Sequence, residues 1–117
     1  MCLDQQIGVV TYFALACGFL SGKYRTPADA AKSARGKGIV EKFLHLRGLR
    51  ILAALDDVAR RYGASPASAA LAWQIARPSI TAPIASATTV DQLKELVAAT
   101  RLHLDPAAIE QLNGASN

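Results

Sequence analysis

The sequence is poor in the residues that build several common kinds of functional site. Its 117 residues include two cysteines and two histidines. Cys2 and Cys17 lack the spacing of metal ligands and are too few for a disulfide framework. No stretch approaches the ~20 uninterrupted apolar residues of a membrane span, and no basic segment precedes the first apolar run, as a signal peptide would require. The length of 117 residues allows one domain at most. The absences predict a soluble chain from a reducing compartment, which we take to be the cytoplasm.

Acidic residues are scarce in one segment only. Residues 21–50 contain eight basic residues and two acidic ones, so this segment carries a charge of +6. Because the net charge of the whole chain is +4, the remainder carries −2. A local basic loop suits one anionic ligand better than a nucleic acid, which requires a basic stripe along a surface. A solvated loop that binds nothing explains the same charge equally well.

Two apolar runs, residues 7–13 and 80–85, predict strands. The first is continuous and rich in β-branched and aromatic residues, as expected of a strand covered on both faces. Pro83 is unusual for a central strand. A long loop, residues 14–48, follows the first strand and is predicted to contain a short helix near residues 40–46. We expect the two strands to be parallel neighbours, each followed by helix, in right-handed order.

Four helices are predicted from apolar periodicity and capping signals. Residues 49–62 have one apolar face, and Gly63 is expected to end that helix. Ser65-Pro66 begins the second helix, Thr89 and Gln92 form a capping box for the third, and Asp105-Pro106 begins the last. The third helix carries Leu93, Leu96, Val97 and Thr100 on one side. In the last helix, Ile109 and Leu112 are expected to point inward. Two strands alone do not make a stable sheet, so the pattern predicts part of a larger fold.

The helix pair around Gly63 also resembles a DNA-binding helix-turn-helix. A recognition helix must present polar side chains to base edges. The second helix of the pair offers Ser65, Ser68 and Gln74 among alanines, a leucine and Trp73. Because that composition is typical of a buried helix, we do not expect this chain to bind nucleic acid.

Three segments resemble the C-terminal third of the aldo-keto reductases, which are NADP-dependent (β/α)8 barrels and include potassium-channel β subunits. TYFALACGFLSGKYR, residues 11–25, is similar to the seventh strand and its loop. Residues 55–105, which begin LDDVARRYGASPASAALAW, are similar to the seventh helix, eighth strand and eighth helix, and LDPAAIEQLNGAS resembles the family's tail. The resemblance implies an α/β fold made of the last two βα units and C-terminal helix of a TIM barrel, incomplete on its own, with residues 1–117 as one partial domain.

The resemblance also implies a binding site for NADP(H). Tyr12 matches the aromatic residue that stacks on the nicotinamide, and Lys23 matches a loop lysine. The remaining matches are Leu15, Ala16, Cys17 and Gly18 around the pyrophosphate, Ser86, Ala87 and Thr88 at the 2′-phosphate, and Gln92 and Glu95 near the adenosine. A turn that leads into a helix N-terminus favours phosphate on physical grounds as well. Taken singly, these residues are explained by core packing, turns and capping.

The sequence departs from the family at several positions. Phe13-Ala14 replaces the family's Ser-Pro pair, so no hydroxyl is present there to contact the cofactor. Ser86 replaces a frequent glycine, and Leu96 replaces an asparagine of some members. The family's catalytic Asp, Tyr, Lys and His come from the first half of the barrel, and nothing in this chain matches their surroundings, so we assign no catalytic residue. His45 and His103 are expected to be structural or solvent-facing, Tyr24 and Tyr62 to be packing residues, and Trp73 to lie in the core.

These observations predict the cofactor-binding part of an NADPH-dependent oxidoreductase that reduces aldehydes or ketones. The chain alone is expected to be inactive, because it lacks the acid and its partners. A different possibility is an assembly module that completes a barrel with other chains. Since its strands would leave an apolar edge and face exposed, we expect the isolated chain to self-associate rather than to form a stable compact monomer.

Overall fold

Helices make up most of the structure, a computed structural model that describes all residues from 1 to 117. Two short 3-10 helices span Ala16–Ser21 and Pro27–Lys32. The α-helices are α1 (Gly36–Phe43), α2 (Leu46–Tyr62), α3 (Pro66–Ile75), α4 (Val90–Ala99) and α5 (Pro106–Ser116). No helix combines the length and the apolar character needed to cross a lipid bilayer.

The two strands, β1 (Val10–Thr11) and β2 (Ala82–Pro83), form a parallel sheet. Val10 lies opposite Ala82 and Thr11 opposite Pro83. The amide of Ile84 donates to the carbonyl of Thr11 at 2.9 Å. The prediction of parallel neighbours separated by a helix pair is therefore confirmed.

Both strands are shorter than the sequence predicted. Only two residues of each apolar run form the ladder, whereas seven and six were expected. The prediction that the first strand is covered on both faces is wrong for this chain, because Ile7, Val10, Tyr12 and Phe13 expose 52%, 53%, 73% and 66% of their surface. Each strand has a single neighbour, so most of the run has no ladder to join and no layer above it.

The main core lies between α2, α3 and α5. Its buried members are Leu55, Val58, Ala59, Ala69, Ala70, Ala108 and Leu112. Helix α3 is buried on nearly every side, because its alanines allow neighbouring helices to approach closely. Trp73 packs at the edge of this core, as expected, and its indole N–H donates to Asn113 Oδ1 at 2.9 Å.

The predicted caps are present with one difference. Gly63 ends α2 with a φ of 61°, and Ser65 and Asp105 accept hydrogen bonds from the amides of Ser68 and Ala108. The Asp105 pKa is lowered chiefly by that bond from Ala108. The difference is at Gln92, where the side-chain oxygen accepts from the amide of Thr88 rather than from the N-cap residue.

The long loop is more ordered than the sequence predicted. Its helix begins at Gly36 and ends at Phe43, not over residues 40–46, and α2 begins at Leu46. His45 is the N-cap of α2, and its Nδ1 accepts from the amide of Gly48 at 3.3 Å. A second cluster of buried residues explains the order, because it fastens both parts of the loop to α2: Phe19, Tyr24, Ile39 and Leu52.

Candidate functional site

A cleft of about 390 Å³ lies beyond the carboxyl ends of the two strands. Parallel strands bring their carboxyl ends to the same edge, where α/β proteins place ligands. Its volume is within the range of small-molecule pockets, ~300–1,000 Å³. The cleft is lined by Tyr12, Phe13, Ala14, Leu15, Cys17, Gly18, Arg35, Ile84, Ala85, Ser86, Thr88 and Gln92.

The structure brings together seven of the eleven cofactor-site residues expected from the sequence. They are Tyr12, Leu15, Cys17, Gly18, Ser86, Thr88 and Gln92. Ala16 and Ala87 are next to lining residues without lining the cleft themselves. Lys23 lies outside it, with its ammonium 5.6 Å from the centre of the Tyr24 ring. Glu95 lines a different groove, between α3 and α4.

The backbone is strained where the first wall of the cleft turns. Ala16, Cys17 and Gly18 follow one another with φ values of 49°, 58° and 94°. A left-handed conformation costs a residue other than glycine roughly 1–2 kcal/mol. Strain of this kind persists where the surroundings impose it, commonly at binding sites. At Gly18 an added Cβ would meet no heavy atom within 4 Å, so a side chain there would point into open space.

Several backbone amides near the cleft have no acceptor within the protein. Those of Cys17, Ser86 and Ala87 donate no hydrogen bond, whereas the amide of Thr88 is occupied by Gln92 Oε1 at 2.8 Å. The second strand's loop leads directly into the N-terminus of α4, the positive end of that helix dipole. Free amides beside a helix N-terminus are suited to holding an anion.

Most of the basic residues in the 21–50 segment are engaged by the protein itself. Arg25 forms a bidentate pair with Asp56 at 2.6 and 2.8 Å, and Lys32 pairs with Asp29 at 2.9 Å. Their hydrogen bonds lower the pKa of Asp56 and of Asp29, and Asp56 in turn raises the pKa of Arg25. Arg47 and Arg50 donate to carbonyls at the end of α5. Most of the positive charge of this segment therefore belongs to side chains that make contacts within the protein.

Arg35 is the one basic residue of this segment that lines the cleft, and sequence reasoning did not single it out. Its backbone carbonyl accepts from the amide of Ile39 at 3.1 Å, but its guanidinium makes no hydrogen bond or ion pair with the protein. A guanidinium in that position is suited to a phosphate, which it can contact through two N–H groups at once. The sequence places this arginine just before Gly36, but nothing in the sequence distinguishes it from the seven other basic residues of the same segment.

The cleft has donors for an anion and an exposed aromatic ring, but few groups that transfer protons. No carboxylate, histidine or lysine is among its lining residues. Nowhere does the structure bring together three potential metal ligands from histidine, cysteine, aspartate and glutamate. The cleft therefore combines free amide donors, the Arg35 guanidinium and the exposed Tyr12 ring, and it holds no acid–base pair.

Comparison with known proteins agrees with the resemblance seen in the sequence. The profile of the Aldo/keto reductase family matches residues 1–117. The uncharacterized oxidoreductase YrpG of Bacillus subtilis is 34% identical over 110 residues, which are 94% of this chain and 32% of YrpG. Protein tas of Escherichia coli K12 is 32% identical over 109 residues, which are 91% of this chain and 31% of tas.

A third relative has a cofactor in its name. The aldo-keto reductase yakc [NADP(+)] of Schizosaccharomyces pombe is 26% identical over 116 residues, which are 97% of this chain and 34% of that protein. The chain thus spans about a third of the length of the curated relatives it matches.

Proposed function

The chain belongs to the aldo/keto reductase family, and on this premise we propose that it supplies the cofactor-binding wall of an NADP(H)-dependent oxidoreductase acting on small carbonyl compounds. The name of the yakc relative supports the choice of cofactor. In this proposal residues 1–117 are one partial domain, the last two βα units and C-terminal helix of a (β/α)8 barrel. β1 and β2 would be its seventh and eighth strands.

One observation supports the proposal most strongly, the convergence of two loops on one cleft. Residues 12–18 and 84–92 are far apart in the chain, yet both line the same cavity at the strand ends. Free amides, strained backbone and an unpaired arginine occur together there. A surface that binds no ligand is not expected to combine these three features at one place.

The chain's residues have distinct roles in this proposal. The Tyr12 ring would support one face of the nicotinamide, the loop around Gly18 would approach the pyrophosphate, and the Ser86–Thr88 turn with Arg35 would hold phosphate. When bound, the cofactor supplies the hydride that reduces a carbonyl. All eleven assignments are predictions from the family resemblance, and the side chains of Lys23, Ala16, Ala87 and Glu95 have no added support from the cleft, since none of these residues lines it.

Titration of the purified chain with NADPH and with NADH, followed by the fluorescence of the reduced nicotinamide, tests the proposal. Arg35→Met should weaken NADPH binding at least tenfold, because a charge-assisted hydrogen bond contributes about 1.5–3 kcal/mol. Lys37→Met is the matched control: Lys37 is a nearby cation of the same helix region, 85% exposed and outside the cleft. Equal NADPH affinity of both variants and wild type would contradict the role of Arg35, and no binding by wild type would contradict the proposal for this chain.

The chain by itself should not reduce carbonyls. Its cleft has no acid and base in contact, and a positioned acid or base alone is worth ~10²–10⁴-fold in rate. The assay is NADPH consumption with a nitrobenzaldehyde. Turnover that persists through further purification and disappears in Tyr12→Ala would show that the chain is catalytic after all.

A second candidate function is an assembly module that completes a barrel with other chains. Its support is the exposed apolar surface at and beside the sheet, where Ile7, Val10 and Ile84 are 52%, 53% and 48% exposed. Sedimentation velocity should then show self-association of the isolated chain that weakens when Ile7 and Val10 are changed to threonine. A monodisperse, cooperatively folded monomer would count against this function.

A further inference from the structure

A buried glutamine on α3 joins the end of β1 to the loop that follows it. Gln74 is 7% exposed, and its Oε1 accepts from the Thr11 hydroxyl at 2.7 Å. Its Nε2 donates to the carbonyl oxygen of Ala14 at 2.6 Å. The two partners flank Tyr12 and Phe13, so a single amide side chain bridges the first wall of the cleft from behind.

The chemistry of this bridge requires an amide. The Ala14 residue is 5% exposed, and a buried carbonyl without a donor costs free energy. Gln74 Nε2 is the donor that the structure provides for it. A carboxylate could accept from Thr11 but could not donate to Ala14, and an aliphatic side chain could do neither. These contacts also fix the orientation of the Gln74 amide group. Rotating it by 180° would place Oε1 against the carbonyl oxygen of Ala14.

Apart from this bridge, Ala14 packs with Leu71 and Ala99 in a small buried cluster, whereas Tyr12 and Phe13 have few other contacts within the chain. The ladder of β1 ends at Thr11. Tyr12 and Phe13 are 73% and 66% exposed, and their rings contact each other edge to face at 4.7 Å between centres. The strained residues 16–18 begin immediately afterwards. An exposed aromatic pair next to a strained turn needs an anchor at each end to keep one orientation.

We infer that Gln74 is a positioning residue for the cofactor cleft: it holds the Tyr12–Phe13 segment so that the Tyr12 ring and the turn at Cys17–Gly18 face the bound dinucleotide. This inference rests on the proposed function and deepens it. Gln74 itself does not line the cleft. It acts through Thr11 and Ala14, by linking the wall to a helix that is buried on nearly every side.

The test compares Gln74→Met with Trp73→Phe. Methionine keeps the length of the side chain and removes the hydrogen bonds to Thr11 and Ala14, together with a longer one to the Ala70 carbonyl of the same helix. Trp73→Phe is a matched control at the next residue of α3, because it removes one hydrogen bond that points to α5 instead of β1. Thr11→Val is a second, milder variant that removes only the bond from the hydroxyl, in case Gln74→Met folds poorly.

Two readouts separate positioning from stability. The first is hydrogen exchange without cofactor at the amides of Ala16 and Gly18, which donate to Phe13 and Leu15 carbonyls at 2.9 and 3.0 Å. The second is the Kd for NADPH. Gln74→Met should speed exchange at both amides about tenfold and weaken NADPH binding about tenfold. A tenfold change corresponds to the net contribution of about one hydrogen bond. Thr11→Val should give a smaller effect and add nothing to Gln74→Met.

The outcomes are distinguishable. The inference is supported if both readouts change in Gln74→Met while Trp73→Phe shows neither change at comparable thermal stability. It is overturned alone if wild type binds NADPH and Gln74→Met binds equally well, or if Trp73→Phe gives the same two changes. If wild type binds no NADPH, the proposed function fails and the inference fails with it, whatever the exchange data show.

Discussion

The two sides of this molecule differ in how completely the chain builds them. On the helical side, formed by α2, α3 and α5, Val58 and Ala69 have no exposed surface. On the sheet side, formed by β1, β2 and their loops, Tyr12 and Phe13 expose most of theirs. The same hydrophobic character is buried on one side and solvent-exposed on the other.

The difference shows that helices and strands depend differently on distant neighbours. A helix forms its backbone hydrogen bonds internally, and the helices here pack on one another within the chain. A strand needs partners at its edges and layers on its faces, and a two-stranded sheet provides few of either. The candidate site lies on the less complete side, and its wall is fastened to the complete side through Gln74.

The largest effect should come from the core of the helical side. Leu55→Ala should lower the free energy of unfolding by about 3 kcal/mol, because a side chain that is 3% exposed leaves a cavity. Ile7→Ala on the sheet side should cost less than about 1 kcal/mol, since Ile7 is 52% exposed. Urea denaturation followed by far-UV circular dichroism measures both. Similar losses for the two would mean that the sheet side is covered in solution, which is what self-association predicts.

Two glycines of the helical region should respond in opposite directions to the same change. A Cβ on Gly48 would lie 1.9 Å from the Phe43 carbonyl oxygen, so Gly48→Ala should destabilise by at least about 2 kcal/mol. A Cβ on Gly38, in α1, meets nothing within 4 Å, and Gly38→Ala should stabilise by about 0.5–1 kcal/mol. Thermal melts of both variants give the comparison. A stabilised Gly48→Ala would show that the turn between α1 and α2 is looser than the structure describes.

On the sheet side, substitution of Gly18 should affect binding more than stability. Gly18→Ala should cost roughly 1 kcal/mol of stability, because alanine is strained at a φ of 94° but meets no neighbour. It should also weaken NADPH binding about tenfold by filling the space that a pyrophosphate would use. Gly114→Ala, in α5 and equally free of neighbours, is the control. Unchanged NADPH affinity in Gly18→Ala would separate this loop from the cofactor site.

The smallest effect should come from the Arg25–Asp56 pair that ties the loop to α2. Its partners are 40% and 37% exposed, so its contribution is at most about 1 kcal/mol. Because Arg25 lowers the folded-state pKa of Asp56, this contribution is present above the unfolded pKa of about 3.9 and is lost as the pH falls through the folded-state value. The stability difference between wild type and Asp56→Asn should therefore shrink below about pH 4.

Asp4→Asn provides the reference for that pH series, since Asp4 pairs only with the chain's own amino terminus and is 84% exposed. Melting temperatures measured from pH 7 to pH 2 give both comparisons. A difference for Asp56→Asn that grows as the pH falls would have the wrong sign and would exclude the pair as its cause.

The elements that local signals specify were predicted well. Gly63, Ser65 and Asp105 mark helix ends in the sequence and cap them in the structure. These caps depend on the backbone preferences and hydrogen bonds of residues within one turn, so an isolated sequence is enough to recognise them. The long loop was predicted less well, because contacts of Phe19 and Tyr24 with Ile39 and Leu52, far along the chain, decide where α1 lies.

The candidate site shows the same division. Sequence alone identified seven residues that line the cleft, because they occur in two motifs whose order and spacing are those of the family. It did not separate Arg35 from seven other cations, nor assign any function to Gln74, since a cation's partners and a buried amide's partners lie on other elements.

By itself, then, the sequence determined the helix caps, the parallel order of the strands, the family and the two loops that meet at the cleft. Tertiary structure decided which basic side chains are already paired, which carbonyl a buried glutamine serves, and how much of each apolar run becomes strand. The physical reason is range. Caps and periodicity are properties of a few adjacent residues, whereas charge pairing, burial and strand length are fixed by groups brought together only when the chain has folded.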